Sequence, residues 1–251
     1  MKLRVLDLFS GIGGFSLGLE RTGGFETKAF CEIDPFCIKV LKKHWPDVPV
    51  YRDIFELEGT ESGDIDVVVG GDPCQPHSHA GKQRGKRDNR YLWPEMLRII
   101  AKTRPSWIIN ENVAGSIANM VLDTKCADLE REGYATRPYF IPAIGIGAPH
   151  RRRRVWLIAK SHDSIPHSQR PHREEMHEQR PVVRGTESKD KQVSVLRSMV
   201  PHKNWETDWS SICRMVNGIS GRVDKDRLRV LGNSILPQLS EVFGRAILYE
   251  S

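Results

Sequence analysis

The first thirty residues have the pattern of a strand, a glycine-rich turn and a helix. An apolar run from Leu3 to Phe9 stops at the turn Ser10-Gly11-Ile12-Gly13-Gly14, and apolar residues at Phe15 and Leu19 follow before Gly23-Gly24. Glycines let the backbone pass close to a ligand, and the start of a helix offers free N–H groups. Tight turns use the same residues for geometry alone, so the turn by itself leaves both interpretations open.

A second strand is expected from Thr27 to Ile33, and it carries an acidic residue, Glu32, near its end. The separation from the glycine turn is about 20 residues, which is the spacing at which an acidic side chain meets ribose hydroxyls in Rossmann-like sites. The pair therefore favours a cofactor that contains adenosine. Asp34-Pro35 predicts the start of the next helix, whose sheet-facing positions would be Phe36, Val40 and Leu41.

Further apolar runs continue the alternation of strands and helices and predict an α/β fold. Asp53-Ile54 follows the third of these strands, where Asp53 either caps a turn or faces a crevice at the sheet edge. The remaining strands are expected at 48–51, 65–69, 106–113, 139–146 and 155–159, with helices at 91–102 and 116–132.

The composition changes after residue 160, where apolar periodicity nearly disappears until Val193. A helical pattern that ends at Leu248 then returns, and its apolar face would pack against the first block; that face comprises Leu239, Val242, Phe243, Ala246 and Ile247. We therefore expect a main domain formed by residues 1–160 and 228–251, with a small, loop-rich domain or insertion at 161–227.

Charge and cysteine content narrow the functional class. The net charge of +6 and the pI of about 9.1 favour an anionic partner such as nucleic acid, although a solvated basic face has the same composition. The 5 cysteines are scattered without a Cys-x-x-Cys pair, which argues against a disulfide framework or a zinc site and for a reducing compartment. With no signal peptide and no apolar run of membrane-spanning length, we expect a cytoplasmic protein.

Two residues at predicted strand ends are candidates for chemistry. Cys74 lies between two prolines after Gly70-Gly71, where it is either a nucleophile held at the sheet edge or a small buried hydrophobe. Glu111 ends an apolar strand, and a carboxylate there is costly to bury without a role or a partner. The basic stretch 78–90 could meet phosphates, and a run of four arginines lies at 151–154.

With these residues together, the sequence resembles the cytosine-5 DNA methyltransferases of bacterial and phage type. The resemblance rests on five motifs that occur in the family's order along almost the entire chain: Asp7 to Phe15 for the cofactor loop, Pro73-Cys74-Gln75-Pro76 for the nucleophile, Glu111-Asn112-Val113, the basic pair Arg152 and Arg154, and Gly232-Asn233-Ser234 near the end.

The resemblance implies a mostly parallel, doubly wound sheet, with 1–160 and 228–251 as the catalytic and cofactor-binding domain and 161–227 as a small target-recognition domain. It also implies S-adenosylmethionine as cofactor, bound at the carboxyl ends of the strands. Glu32 would take the ribose hydroxyls, Ile33 would pack on adenine and Asp53 would meet its amino group. The residues implied for the cofactor site are Phe9, Ser10, Gly11, Ile12, Gly13, Gly14, Glu32, Ile33, Asp53, Ile54, Asn233 and Ser234.

The resemblance also implies a covalent mechanism on cytosine without a metal. The Cys74 thiolate would add to carbon 6 and make carbon 5 nucleophilic. Glu111, held in an apolar setting that raises its pKa, would stabilise the charge at ring nitrogen 3. Arg152 would hold the base carbonyl and phosphate, and Arg154 would help to position this element.

Because carbon 6 is hidden in the base stack, the target nucleotide has to be flipped out of double-stranded DNA. The basic stretch 78–90 is the expected closing element, with Lys82, Gln83, Arg84 and Arg87 as DNA contacts. Exposure to solvent is an equal alternative for Gln83 and Arg84, and it is the preferred one for Arg151 and Arg153. We expect a monomer, with a cognate restriction endonuclease as a further candidate partner.

Some residues depart from the family pattern. His77 replaces a usual aromatic residue, His150 replaces a usual glutamine, and 217–227 lacks the usual penultimate motif. Two alternative functions follow. One is a tRNA cytosine-5 methyltransferase, although the Cys-Phe-Thr element of that branch is absent, and the other is a catalytically silent relative that binds DNA or cofactor.

Overall fold

The computed structural model describes residues 1–59, 61–73, 91–113, 121–142, 153–162 and 234–250. The strands are β1 (Leu3–Leu8), β2 (Phe25–Cys31), β3 (Val50–Tyr51), β4 (Val67–Gly70), β5 (Trp107–Val113), β6 (Tyr134–Pro142) and β7 (Arg153–Ser161). The helices are α1 (Gly14–Glu20), α2 (Pro35–His44), α3 (Trp93–Thr103), α4 (Val121–Arg131) and α5 (Pro237–Glu250).

The seven strands form one sheet in the order β3-β2-β1-β4-β5-β7-β6. The first five pair in parallel, whereas β7 runs antiparallel to both β5 and β6. The predicted mostly parallel, doubly wound sheet is therefore confirmed. Strand order reverses between β1 and β4, and ligands of such sheets bind at the carboxyl edge beside this reversal.

The core occupies both faces of the sheet. Alternate residues of the central strands face opposite sides, so that Val68 packs with α3 while Val67 and Val69 pack with α1 and α5. Both sides of these strands are thus covered, and this explains their nearly continuous apolar runs in the sequence.

Helix α2 starts where the sequence predicted. The side chain of Asp34 accepts hydrogen bonds from the backbone N–H groups of residues 36 and 37, and a proline occupies the first turn. Its buried face differs in part from the prediction: Leu41 is buried, but Cys37 and Ile38 take the buried positions expected for Phe36 and Val40, which are half-buried.

Strand β6 begins five residues before the predicted start at Tyr139. Its pairing with β7 extends from Tyr134, opposite Ser161, to Pro142, opposite Arg153. Several of its side chains are exposed or half-buried because it lies at the sheet edge, and Pro138 interrupts its pattern. An apolar run therefore does not mark its beginning. Residues 143–146 of the predicted strand lie outside the described part.

The C-terminal helix packs against the first block of the chain, as predicted, and its partner there is α1. Glycines on one face of α1 permit this approach: an added Cβ on Gly14 would lie 2.6 Å from the carbonyl oxygen of Ile235, and one on Gly18 would lie 2.1 Å from that of Pro237. Ser240 also donates its hydroxyl to the carbonyl of Phe15 at 2.8 Å. Four of the five expected apolar positions are buried, and the fifth, Ala246, is half-buried.

Most of the expected small domain at 161–227 lies outside the described residues. None of the helices in the described ranges has the length and apolar character that a membrane span requires.

Candidate active site

A cleft of about 600 Å³ opens at the carboxyl edge of the sheet, beside the reversal in strand order. The loops after β1, β2, β3, β4 and β5 all contribute to it. Of the residues predicted for the cofactor or for catalysis, those that line the cleft are Phe9, Gly11, Glu32, Ile33, Asp53, Ile54, Glu111, Arg154 and Ser234.

The glycine turn shapes one wall. Phe9 and Gly11 both adopt positive φ, 53° and 55°, and an added Cβ on Gly11 would meet nothing within 4 Å. The backbone is therefore open to a ligand at this point. Gly13 and Gly14 serve packing instead, because a Cβ on either would approach other residues to 2.6 Å.

The remaining residues of the turn support it from behind. Ser10 is buried and donates its hydroxyl to the carbonyl oxygen of Asp7 at 2.5 Å. Ser10, Ile12, Gly13 and Gly14 do not line the cleft, although all four belong to the predicted cofactor motif.

Glu32 joins the turn to the second strand. One carboxylate oxygen accepts the N–H of Gly11 at 2.7 Å and the other accepts the N–H of Asp34 at 2.8 Å. Burial raises the pKa of Glu32, against the lowering effect of these hydrogen bonds. Each oxygen retains acceptor capacity, so the carboxylate can also receive hydroxyl groups from the cleft.

The apolar part of the cleft includes Phe55, which was not among the predicted site residues. Ile33 is 75% exposed and Phe55 is 53% exposed, although both are large hydrophobic residues that line the cleft. Phe55 follows Asp53-Ile54 directly, and this adjacency was the available signal. Asp53 satisfies both interpretations given above, since it accepts the N–H of Phe55 at 3.0 Å and also lines the cleft. Other lining residues that were missed are Cys31, Asp34, Cys37, Arg52 and Leu92.

Glu111 lies on the other side of the strand reversal and is ion-paired. Its Oε1 lies 2.7 Å from Nε of Arg154 on β7, although the Nε hydrogen makes no hydrogen bond of acceptable geometry. The raised pKa expected for Glu111 stays a prediction, and the Arg154 guanidinium is a charged neighbour that the sequence did not indicate. The other oxygen would lie 3.4 Å from a Cβ on Gly71, next to the chain that leads from β4 towards Cys74.

The end of β5 supplies one more polar group to the cleft. Asn112 is buried, its Oδ1 accepts the N–H of Val113 at 2.8 Å, and its Nδ2 has no hydrogen-bond partner in the described part of the chain. A buried donor without a partner is costly, so this amide is suited to a ligand oxygen.

Several predicted residues lie outside the described ranges. These are Cys74, Lys82, Gln83, Arg84, Arg87, Arg152 and Asn233, together with the two departures His77 and His150 and the solvent-exposed candidate Arg151. Pro73, directly before Cys74, does line the cleft. Arg153 is exposed, as predicted.

Comparison with known proteins identifies the family. A family model described as C-5 cytosine-specific DNA methylase matches residues 3–220, which is most of the chain. The chain belongs to this family. The resemblance inferred from the five motifs is thus confirmed.

Relatives of this family member include bacterial type II methyltransferases. M1.ScrFI of Lactococcus lactis subsp. cremoris is 35% identical over 172 residues, which are 65% of this chain and 43% of the relative. M.NgoMIV of Neisseria gonorrhoeae is 36% identical over 168 residues, which are 63% of this chain and 52% of the relative. The chain thus spans about half the length of these relatives.

The fold also has solved counterparts. A mutant of DNMT2 from Spodoptera frugiperda superposes with a TM-score of 0.58 at 22% identity, over 64% of this chain and 51% of that one. Similarity at this level of identity supports the fold alone.

Proposed function

We propose that the protein transfers a methyl group from S-adenosylmethionine to carbon 5 of cytosine in double-stranded DNA. The observation that carries the proposal is the convergence of Glu32 and Glu111 on one cleft at the strand reversal, with Pro73 leading from that cleft to Cys74. Membership of the family supports the same reaction.

The residues of the cleft fit the cofactor. The open backbone at Gly11 leaves room for the methionine part, Glu32 offers carboxylate oxygens to ribose hydroxyls, and Ile33 presents exposed apolar surface to adenine. Asp53 would accept the adenine amino group, with Phe55 beside it. When bound, S-adenosylmethionine would supply an electrophilic methyl group on a sulfonium and leave as S-adenosylhomocysteine once the sulfur–methyl bond breaks.

Cys74 would act as the nucleophile. Its thiolate would form a bond to carbon 6, and the electron pair of the carbon 5–carbon 6 double bond would become available at carbon 5 for the methyl group. Loss of the carbon 5 proton to a base would then re-form the double bond as the bond from carbon 6 to sulfur breaks. The thiolate is thereby regenerated.

Glu111 and Arg154 would hold the pyrimidine during this sequence. The Glu111 carboxylate would accept a hydrogen bond from the exocyclic amino group of cytosine and share a proton at ring nitrogen 3. Arg154, 2.7 Å from Glu111, would fix the carboxylate in place. Arg152 would contact the base carbonyl and phosphate.

Access to carbon 6 requires base flipping. The residues proposed to contact DNA are Lys82, Gln83, Arg84 and Arg87, and residues 161–227 would form the target-recognition domain. A cognate restriction endonuclease stays a prediction.

Covalent trapping tests the proposal directly. With S-adenosylmethionine, duplex DNA that contains 5-fluorocytosine should form a stable adduct with the protein, because fluorine cannot leave as a proton does and the enzyme stays attached. Cys74→Ala should abolish both adduct formation and methyl transfer. Cys126→Ala, which removes a cysteine from α4 that does not line the cleft, should preserve both.

A second experiment tests the choice of substrate. Bisulfite sequencing of DNA from cells that express the protein should reveal methylated cytosines in a defined sequence context. Methylation of tRNA but of no duplex DNA would overturn the choice of substrate. Cofactor binding without any transfer or adduct would instead support the silent relative.

A further inference from the structure

Helix α4 buries a lysine in its core-facing stripe. The buried positions of this helix are Leu122, Lys125 and Leu129, and Lys125 is only 1% exposed. An ammonium group is expensive to remove from water unless it is paired and hydrogen-bonded. Its partners therefore indicate what the position is for.

Three contacts satisfy the Lys125 ammonium group. It forms a buried ion pair with Asp72 and donates to Oδ1 of Asn110 at 2.9 Å. Its nitrogen also lies 4.8 Å from the centre of the Trp93 ring, which is cation–π geometry. The amide of Asn110 completes the network by donating to Asp72 at 2.8 Å and to the carbonyl of Gly70 at 2.9 Å.

These partners occupy special places in the chain. Asp72 lies two residues before Cys74, and Asn110 directly precedes Glu111. Trp93 is the first residue of α3, three residues after the basic stretch ends at Arg90. One ammonium group thus contacts the chain just before the proposed nucleophile, beside the proposed carboxylate, and just after the stretch proposed to meet DNA.

Stability alone does not explain the network. Replacing a buried ion pair by neutral groups of similar volume is often neutral or stabilising, because the desolvation of two charges offsets their attraction. A hydrogen-bonded charge pair does, however, define one geometry for the backbone segments that carry it. At this site the segments carry Cys74 and Glu111.

We propose that Lys125, with Asp72 and Asn110, is a positioning residue that sets the separation of Cys74 and Glu111 and fixes both ends of the 74–90 segment. This role rests on the proposed methyl transfer. Lys125 does not line the cleft, whereas its partner Asp72 does, and Lys125 would act through the segments that it joins.

The test compares two matched double variants of the full chain. Asp72→Asn with Lys125→Met removes the network without leaving a buried charge. Arg4→Met with Asp66→Asn makes the same exchange at the start of β1, away from the cleft, where the Arg4 Nε lies 2.9 Å from the buried Asp66 carboxylate. Each double variant removes one positive and one negative charge, so the net charge of the protein does not change. The melting temperature then measures the loss of stability, and kcat measures the effect on the relative position of Cys74 and Glu111.

In the network double, kcat should fall about 10-fold to 100-fold, as expected for a small misplacement of reacting groups. The dissociation constant for S-adenosylmethionine should stay within about threefold because its proposed contacts are intact, and in the matched double both values should stay within about threefold. An unchanged kcat in the network double, or an equal loss in both doubles, would overturn the proposal. If the network double does not fold, Lys125→Arg, which keeps the buried charge pair but changes its geometry, should lower kcat at least about threefold.

A readout that does not need turnover separates this inference from the proposed function. Alkylation of Cys74 by iodoacetamide, followed by peptide mass spectrometry, should change in rate at least about threefold in the network double and not in the matched double. If wild-type protein gives neither transfer nor adduct, the proposed function fails, and this rate alone decides the positioning role. An unchanged rate would then exclude it.

Discussion

Asp7 is a fully buried carboxyl group beneath the glycine turn. One oxygen accepts the hydroxyl of Ser16 at 2.7 Å and its backbone N–H at 3.3 Å, while Oδ1 has no hydrogen-bond partner in the described part of the chain. Burial raises the pKa of Asp7 to about 8, with smaller contributions from the nearby carboxylates of Glu32 and Glu20. The protonated form is therefore the one the fold favours.

A dependence of stability on pH follows. Between the ordinary pKa of 3.8 and the raised value of about 8, the folded state holds a proton that the unfolded state has lost. The free energy of unfolding should therefore fall as pH rises across this range, by at most about 1.4 kcal/mol per pH unit. This component should be absent in Asp7→Asn. The free energy of unfolding of the variant should therefore rise relative to that of wild type between pH 5 and pH 8, and the difference should stay constant above pH 8.

Urea denaturation at pH 5, 6, 7, 8 and 9 would measure the difference. Asp64→Asn is the control, because its side chain is 63% exposed and belongs to a surface pair. A constant difference between Asp7→Asn and wild type at every pH would contradict the raised pKa.

Single residues were predictable from the sequence when their role is local. Asp34 was identified as a helix cap from its own neighbours, and Glu32 from its spacing to the glycine turn. Lys125 was not identified, because its partner Asp72 is 53 residues away and only the fold brings them together. Glu111 was identified, but its pairing with Arg154 depends on strand register and was not.

The packing of α1 against α5 depends on the absence of side chains. The glycines at 14 and 18 are four residues apart and so lie on one face of α1, where the carbonyls of Ile235 and Pro237 approach. This contact also holds Ser234 at the cleft, directly before the segment 235–237.

Gly18→Ala should destabilise the protein although alanine is the better helix former. The gain in helix propensity is about 1 kcal/mol. An added Cβ would lie 2.1 Å from the Pro237 carbonyl oxygen, however, and the resulting shift should cost about 1 to 3 kcal/mol or more. Thermal and urea denaturation should therefore show a net loss, accompanied by weaker cofactor binding as Ser234 moves.

Leu17→Ala provides the comparison on the same helix. Leu17 faces away from this contact and is 38% exposed, so its truncation should change stability by about 0.5 kcal/mol or less. If Gly18→Ala is as stable as the wild-type protein or more stable, α5 can move away from α1 at no cost in stability.

Whole elements were predictable where burial is two-sided. The central strands appear as apolar runs because helices cover both faces, and each was found within two residues of its observed start. Strand β6 was placed late because an edge strand carries exposed and polar residues that mimic a loop. The return of α5 to the first block was predicted from its apolar face, but its pairing with α1 and the glycine face that permits it were not.

At the scale of the whole molecule, the sheet holds two half-sites on either side of its reversal in strand order. Glu32 and Asp53 lie beyond β2 and β3, whereas Glu111 and Arg154 lie on β5 and β7. The cleft between them therefore exists only in the folded sheet, and a ligand that fills it should stabilise the entire domain.

S-adenosylmethionine should raise the melting temperature of the protein as its concentration increases. At a concentration a hundred times its dissociation constant, the free energy of unfolding should increase by about 2.7 kcal/mol. Glu32→Gln should lose most of this shift, because an amide nitrogen replaces one acceptor that faces the Gly11 or Asp34 N–H. Glu26→Gln, at an exposed position on β2, should retain the shift. A full shift in Glu32→Gln would argue against Glu32 as the ribose ligand.

The pairing of α1 with α5 has a consequence during synthesis. A ribosome delivers Phe15 and Leu19 early, but Leu239 and Phe243, which cover the same side of the sheet, emerge more than two hundred residues later. Until then this apolar surface stays unshielded on the nascent chain, where it is a binding surface for chaperones and a hazard for aggregation. The glycine turn is thus the first part of the cleft to be synthesised, but the helix that follows it can pack against α5 only after residues 237–250 have been made.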